Sequence, residues 1–136
     1  MISILFEDVP PIDLSLSSIN EWLNTVVTSE NKTLGDISLV FGSDKWLLDF
    51  NIKHLDHDYF TDIITYDYST KNLVSGDLLI SVERVFENAK NLNVPRETEL
   101  NRVIVHGVLH LCGFTDKTDE QKKIMREKED YYLTLL

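Results

Sequence analysis

The chain has 136 residues, 43% hydrophobic and 26% charged, a balance that fits one folded unit over 1–136 and excludes disordered and fibrous classes. Its net charge of −10 argues against tight nonspecific binding to a polyanion, but the acidity is uneven: residues 1–100 hold 7 Lys/Arg against 17 Asp/Glu, and residues 101–136 hold 6 against 6. No apolar run approaches the ~20 residues of a membrane span, the N-terminal stretch lacks a basic region and a cleavage site, and a single cysteine allows no intrachain disulfide, so a cytoplasmic location without membrane contact is expected.

Ile2 to Phe6 reads as a first strand. Leu16 to Val27 follows with Leu16, Ile19, Leu23 and Val26/Val27 at helical spacing, and Ser15 is placed to cap that helix. Asp36 to Phe41 is a second strand, and Lys45 to about Lys53 a short helix presenting Trp46, Leu47 and Phe50. The β-branched and aromatic run Asp62 to Tyr68 and the segment Gly76 to Val82 read as a hairpin-like pair of strands joined through the polar stretch Ser69–Ser75.

Three helices then follow. Glu83 to Asn91 is the first. Pro95 can sit in a first helical turn, and Glu99 to Leu111 continues with Leu100, Val103, Ile104, Gly107, Val108 and Leu111 until Gly113 ends it. Thr118 with Gln121 forms a capping-box pattern ahead of a last helix whose apolar side carries Ile124, Met125, Tyr131, Tyr132 and Leu135. Because the central strands lack a regular βαβ rhythm, the pattern predicts an α+β fold: a small mixed β-sheet packed with helices, with a zincin-like metal site on a central helix.

That site is read from His106-Gly107-Val108-Leu109-His110. Two imidazoles at i and i+4 share one helix face and can reach one metal. Gly113 reverses the chain, so Asp116 can return toward them as a third ligand. Two histidines and a carboxylate leave a tetrahedral zinc one open position, which suits a metal-bound water as the activated group. Gly107 stands where H-E-x-x-H peptidases carry their glutamate base, so peptide hydrolysis is disfavoured, and a glycine inside a helix suggests close backbone or substrate approach. Cys112 reads as a buried apolar thiol rather than a ligand. His54 and His57 belong to a polar, Asp-rich loop, and Trp22, Trp46 and Tyr66 to core or rim packing.

The run His106-Gly107-Val108-Leu109-His110-Leu111-Cys112-Gly113-Phe114 resembles the signature of the YbeY endoribonucleases, rRNA maturation factors of bacteria. Phe50-Asn51, Thr61 to Tyr66 and Gly76 to Ser81 resemble further family elements in the same order and spacing. The resemblance implies one Zn2+ per chain, metal-dependent cleavage of single-stranded ribosomal RNA, and a part in rRNA 3′-end maturation and ribosome quality control. It also implies ribosomal proteins and a GTPase as partners, and it sets Asp62 and Asp77 at the border of the cleft, where they could orient a ligating histidine or a loop.

Two departures stand out. The family's usual third histidine is Asp116 here, and the arginine expected four residues after Asn51 is Leu55, which points to a substitute such as Lys53, Lys71 or Lys117. The last helix mixes Lys122, Lys123, Arg126 and Lys128 with Glu127, Glu129 and Asp130, mostly a solvated face that gives at best a local basic patch near the site. Competing readings are a metal-dependent hydrolase of peptides or small molecules, and a ribosome-associated metal-binding module with weak catalysis.

Overall fold

Alternation along two neighbouring strands decides how the layers form. Leu39 and Phe41 share a large hydrophobic core with Leu78 and Ile80, whereas Val40 and Leu79 belong to a smaller cluster with Leu47 and Ile64. Successive strand side chains point to opposite faces, so the sheet is covered on both sides. The structure is a computed structural model that describes residues 1–136. Its elements run β1 (Ile2–Phe6), α1 (Leu16–Ser29), β2 (Thr33–Gly42), α2 (Asp44–Leu55), β3 (Ile63–Asp67), β4 (Leu73–Ser81), α3 (Val82–Leu92), α4 (Arg96–Leu111) and α5 (Asp119–Leu133).

The expected mixed sheet is present, in the order β1-β2-β4-β3. β1 runs parallel to β2 and β2 parallel to β4, while β3 and β4 form the antiparallel pair expected from the sequence, with Ile64 opposite Leu79. The N-terminal β1-α1-β2 segment is therefore a parallel crossover, a local βαβ unit ahead of the central strands. β2 and β4 also begin earlier than their apolar patterns suggest, because Thr33 and Leu34 pair with Leu73 and Val74 across the sheet before a register shift ahead of Ile37. Pairing between distant segments recruited residues that local pattern could not.

Helix starts follow the side chains available to accept the first free N–H groups. Ser15 caps α1, Ser43 α2 and Ser81 α3, and Thr118 with Gln121 completes a capping box on α5. Pro95 sits one residue outside α4, at its N-cap, and the helix starts at Arg96 rather than Glu99. The Trp22 indole donates to the Tyr132 carbonyl at 2.8 Å, which ties α1 to the C-terminal end of α5. No helix is long and apolar enough to cross a membrane.

The helix that carries the histidines buries Leu100, Val103, Ile104, Gly107, Val108 and Leu111 against the sheet. A β-carbon on Gly107 would lie 2.8 Å from Ile63 Cδ1 and 2.9 Å from both Leu78 methyls. The absence of a side chain there lets α4 press directly onto β3 and β4. Close approach was the right expectation for Gly107, but the approaching group is the sheet, not a substrate, and Gly107 does not line the cleft.

Candidate metal centre

Positions 103, 104, 107 and 108 are buried, and positions 106 and 110 lie on the adjoining, partly exposed flank of α4. The two imidazoles meet there with their Nε2 atoms 3.0 Å apart. Their Nδ1 atoms already have partners. His106 Nδ1 lies 2.6 Å from Glu129 Oε2, and His110 Nδ1 donates to the Phe114 carbonyl at 2.9 Å. With each Nδ1 engaged, the two Nε2 atoms are left facing one another, and in the neutral rings each offers a lone pair.

The turn after α4 brings the third group. Gly113, at φ 106°, donates to the His110 carbonyl at 3.0 Å, and Phe114 N–H donates to the Leu109 carbonyl at 3.1 Å. This is a Schellman reversal, and the left-handed backbone it needs favours glycine. The chain then returns along the helix, and Asp116 Oδ2 arrives 3.4 Å from His106 Nε2 and 3.5 Å from His110 Nε2. Two lone pairs and a carboxylate oxygen in one small triangle call for a cation. Ligands ~2.0–2.1 Å from a tetrahedral zinc lie about 3.3 Å apart, so the triangle has the right size. His106, His110 and Asp116 can hold a metal ion.

Next to this triangle lies a cavity of about 240 Å³ between α4 and α5, lined by Asp62, Glu99, Arg102, His106, Asp116, Lys122, Arg126 and Glu129 among others. Glu129 is its organising group. Buried to 5% exposure, it accepts from His106 and, through Oε1, from Arg102 Nη1 at 3.0 Å, while Arg102 Nη2 reaches Asp130 at 2.7 Å. Burial works against protonating His106, but the Glu129 hydrogen bond and the charges of Glu129, Asp116 and Asp62 outweigh it. The imidazole therefore sits above the ordinary histidine range. Burial pushes the Asp62 carboxyl up, with His106 pulling the other way, and burial likewise raises Glu99 against the pull of Arg102.

The expected residues fare differently. His106, His110 and Asp116 converge, and Asp62 lines the cavity. Asp62 does not orient a histidine, however, because Glu129 and the Phe114 carbonyl occupy both Nδ1 positions. Asp77 accepts from the Tyr68 hydroxyl at 3.1 Å and stands outside the cavity, since its position on β4 faces away from α4. Lys53, Lys71 and Lys117 do not line the cavity either. His57 stacks on Tyr59 in the loop after α2, whereas His54 lies inside the last turn of α2, against Phe50, and not in a loop as expected.

Sequence reasoning missed Glu129, Arg102 and Glu99. A signal for the first was present: Glu129 follows Met125 by four residues and precedes Tyr132 by three, so it falls on the buried side of α5. The charged neighbours Glu127, Lys128 and Asp130 hid it. Cys112 is a free, buried thiol pushed up to about 11 by burial and lies outside the ligand triangle. Iodoacetamide near neutral pH should leave the folded protein unmodified and alkylate it only after denaturation. Rapid labelling of the native chain would contradict the buried position.

Known proteins share this architecture. A family model described as endoribonuclease YbeY matches residues 9–136. Endoribonuclease YbeY of Flavobacterium psychrophilum is 47% identical over 135 residues, covering 99% of this chain and 96% of that protein. The Bacteroides fragilis protein of the same name is 42% identical over 129 residues, covering 95% and 93%. The solution structure of TM1509 from Thermotoga maritima matches with a TM-score of 0.72 at 28% identity, over 98% of this chain and 87% of its own. Matches of this length and identity, on a chain whose histidine helix and returning aspartate form one ligand triangle, show that it belongs to the endoribonuclease YbeY family.

Proposed function

We propose that this chain, as a single domain, is a zinc-dependent endoribonuclease that cleaves single-stranded ribosomal RNA during 3′-end maturation and ribosome quality control in the cytoplasm. The observation that carries the reading is the pair of Nε2 atoms 3.0 Å apart, with Asp116 beside them and both Nδ1 atoms already engaged. His106, His110 and Asp116 would hold the zinc, which when bound would supply Lewis acidity and a water activated near neutral pH.

The chain's own side chains supply the remainder. Glu129, anchored by Arg102, fixes the ring plane and tautomer of His106 and enriches its electron density. The Phe114 carbonyl does the same for the orientation of His110. Asp62, just ahead of β3, lines this cavity with its carboxyl raised, which suits it to take up and return a proton there. A glutamate at position 107 would run into Ile63 and Leu78, so the general base of the H-E-x-x-H peptidases has no room here and RNA is favoured over peptide.

The decisive test is purified protein with its metal content measured, incubated with single-stranded ribosomal RNA with and without chelator. Stoichiometric zinc and chelator-sensitive cleavage are expected; neither property in a folded preparation would overturn the reading. Asp116→Ala should lose zinc affinity by at least tenfold in a chelator competition, while Asp116→His should retain the metal. Unchanged zinc content in Asp116→Ala would remove Asp116 from the ligand set. Co-sedimentation with ribosomal subunits and their proteins tests the proposed setting, and absence from every ribosomal fraction would count against it.

A further inference from the structure

The cavity beside the ligand triangle holds three cationic side chains with unequal commitments. Arg102 is spoken for by Glu129 and Asp130. Lys122 and Arg126 line the same cavity from α5 yet form no ion pair or hydrogen bond, although both are exposed and acidic groups are abundant on this protein. Elsewhere on α5 a cation is used structurally: Lys128 binds Glu30 at 2.9 Å and covers the Phe114 ring. Lys123 does not line the cavity. Only Lys122 and Arg126, four residues apart and hence on one face of the helix, stand free beside Asp116 and His106.

The charge balance of the cavity says what they can receive. Its walls carry four acidic side chains, Asp62, Glu99, Asp116 and Glu129, against three cations. Glu129 is neutralised by Arg102, and a divalent ion in the ligand triangle turns the remainder positive, so an anion is favoured in the metal-loaded protein. At about 240 Å³ the space is smaller than the ~300 Å³ at which pockets begin to enclose whole small ligands. Its size suits one link of a chain that passes through rather than a free molecule held entire.

From this we infer that Lys122 and Arg126 bind the backbone phosphates of the single-stranded RNA that enters the cleft, replacing from α5 the arginine that Leu55 lacks on α2. This deepens the proposed function and rests on it. Leu55 closes α2 and does not line the cavity, whereas α5 stands directly over the ligands. An arginine and a lysine there would neutralise phosphate charge and hold the scissile link against the metal.

The test uses a fully 2′-O-methylated single-stranded oligonucleotide, which binds without being cleaved, on the zinc-loaded protein. Its affinity is followed by fluorescence anisotropy over a series of salt concentrations. Lys122→Gln/Arg126→Gln should weaken binding at least tenfold at low salt and lower the slope of log affinity against log salt by about 1.4, two contacts at ~0.7 each for single strands. Lys53→Gln/Lys71→Gln should stay within twofold of wild type. Zinc content and melting temperature should be unchanged in both doubles. A slope and affinity unaltered in the α5 double, or an equal loss in the control double, would overturn the inference while wild-type cleavage left the proposed function standing. A wild-type protein that neither binds nor cleaves RNA would overturn both.

Discussion

His106→Ala should reduce bound zinc below stoichiometry and slow RNA cleavage by about three orders of magnitude, which corresponds to about 4 kcal/mol of lost transition-state stabilisation. The substitution takes away the ligand that sits at the centre of the site: His106 touches His110, Asp116 and Glu129 at once. His110 and Asp116 alone form a two-point site. The fold should survive, because His106 is half-exposed and Glu129 keeps its ion pair with Arg102. Metal analysis, a cleavage assay and a thermal melt on the same preparation check this. A variant that melts like wild type and still holds one zinc per chain would sink the assignment.

Glu129 should show two separable effects. Glu129→Ala strips the partner from a largely buried Arg102 and from His106 Nδ1 together, and breaking a buried charge pair on one side costs about 3–5 kcal/mol. For a chain of this size that is a fall in melting temperature of roughly 10–20 °C. Glu129→Gln keeps the shape and can still accept from His106, but it loses the charge that strengthens the imidazole as a ligand. Zinc affinity should then drop about 10–100-fold with a much smaller loss of stability. A chelator competition set beside a melt separates the two. If Glu129→Gln binds zinc as tightly as wild type, Glu129 serves only the fold, and its role as a positioning residue fails.

How far the sequence foretold this molecule depends on the range of the interaction involved. Helix ends were legible because caps are local: Ser15, Thr118 with Gln121, and Gly113 all act within a few residues of themselves. The ligand triangle was legible for the same reason, since it is built from positions 106 to 116. Strand order was not, because the parallel pairing of Thr33 with Leu73 depends on chain forty residues away. Lys122 and Arg126 were visible as a basic patch, but that they rather than Lys53, Lys71 or Lys117 face the metal group depends on how α5 packs on α4. Gly107 shows the same limit: its spacing announced a close contact, and only the packed sheet identified the neighbour.

The reversal at Gly113 also bears on how this site can change over generations. His106 and His110 are fixed to one rigid helix, so altering either would require a new partner at an unchanged spot on α4. Asp116 lies beyond the turn, in neither helix nor strand and 40% exposed in its side chain, where the backbone can shift to suit a longer or shorter ligand without disturbing the core. Of the three residues that could hold a metal, Asp116 is thus the one most open to exchange. An exchange of aspartate for a longer, neutral acceptor at this position would change the charge of the cluster while leaving the scaffold that presents it intact.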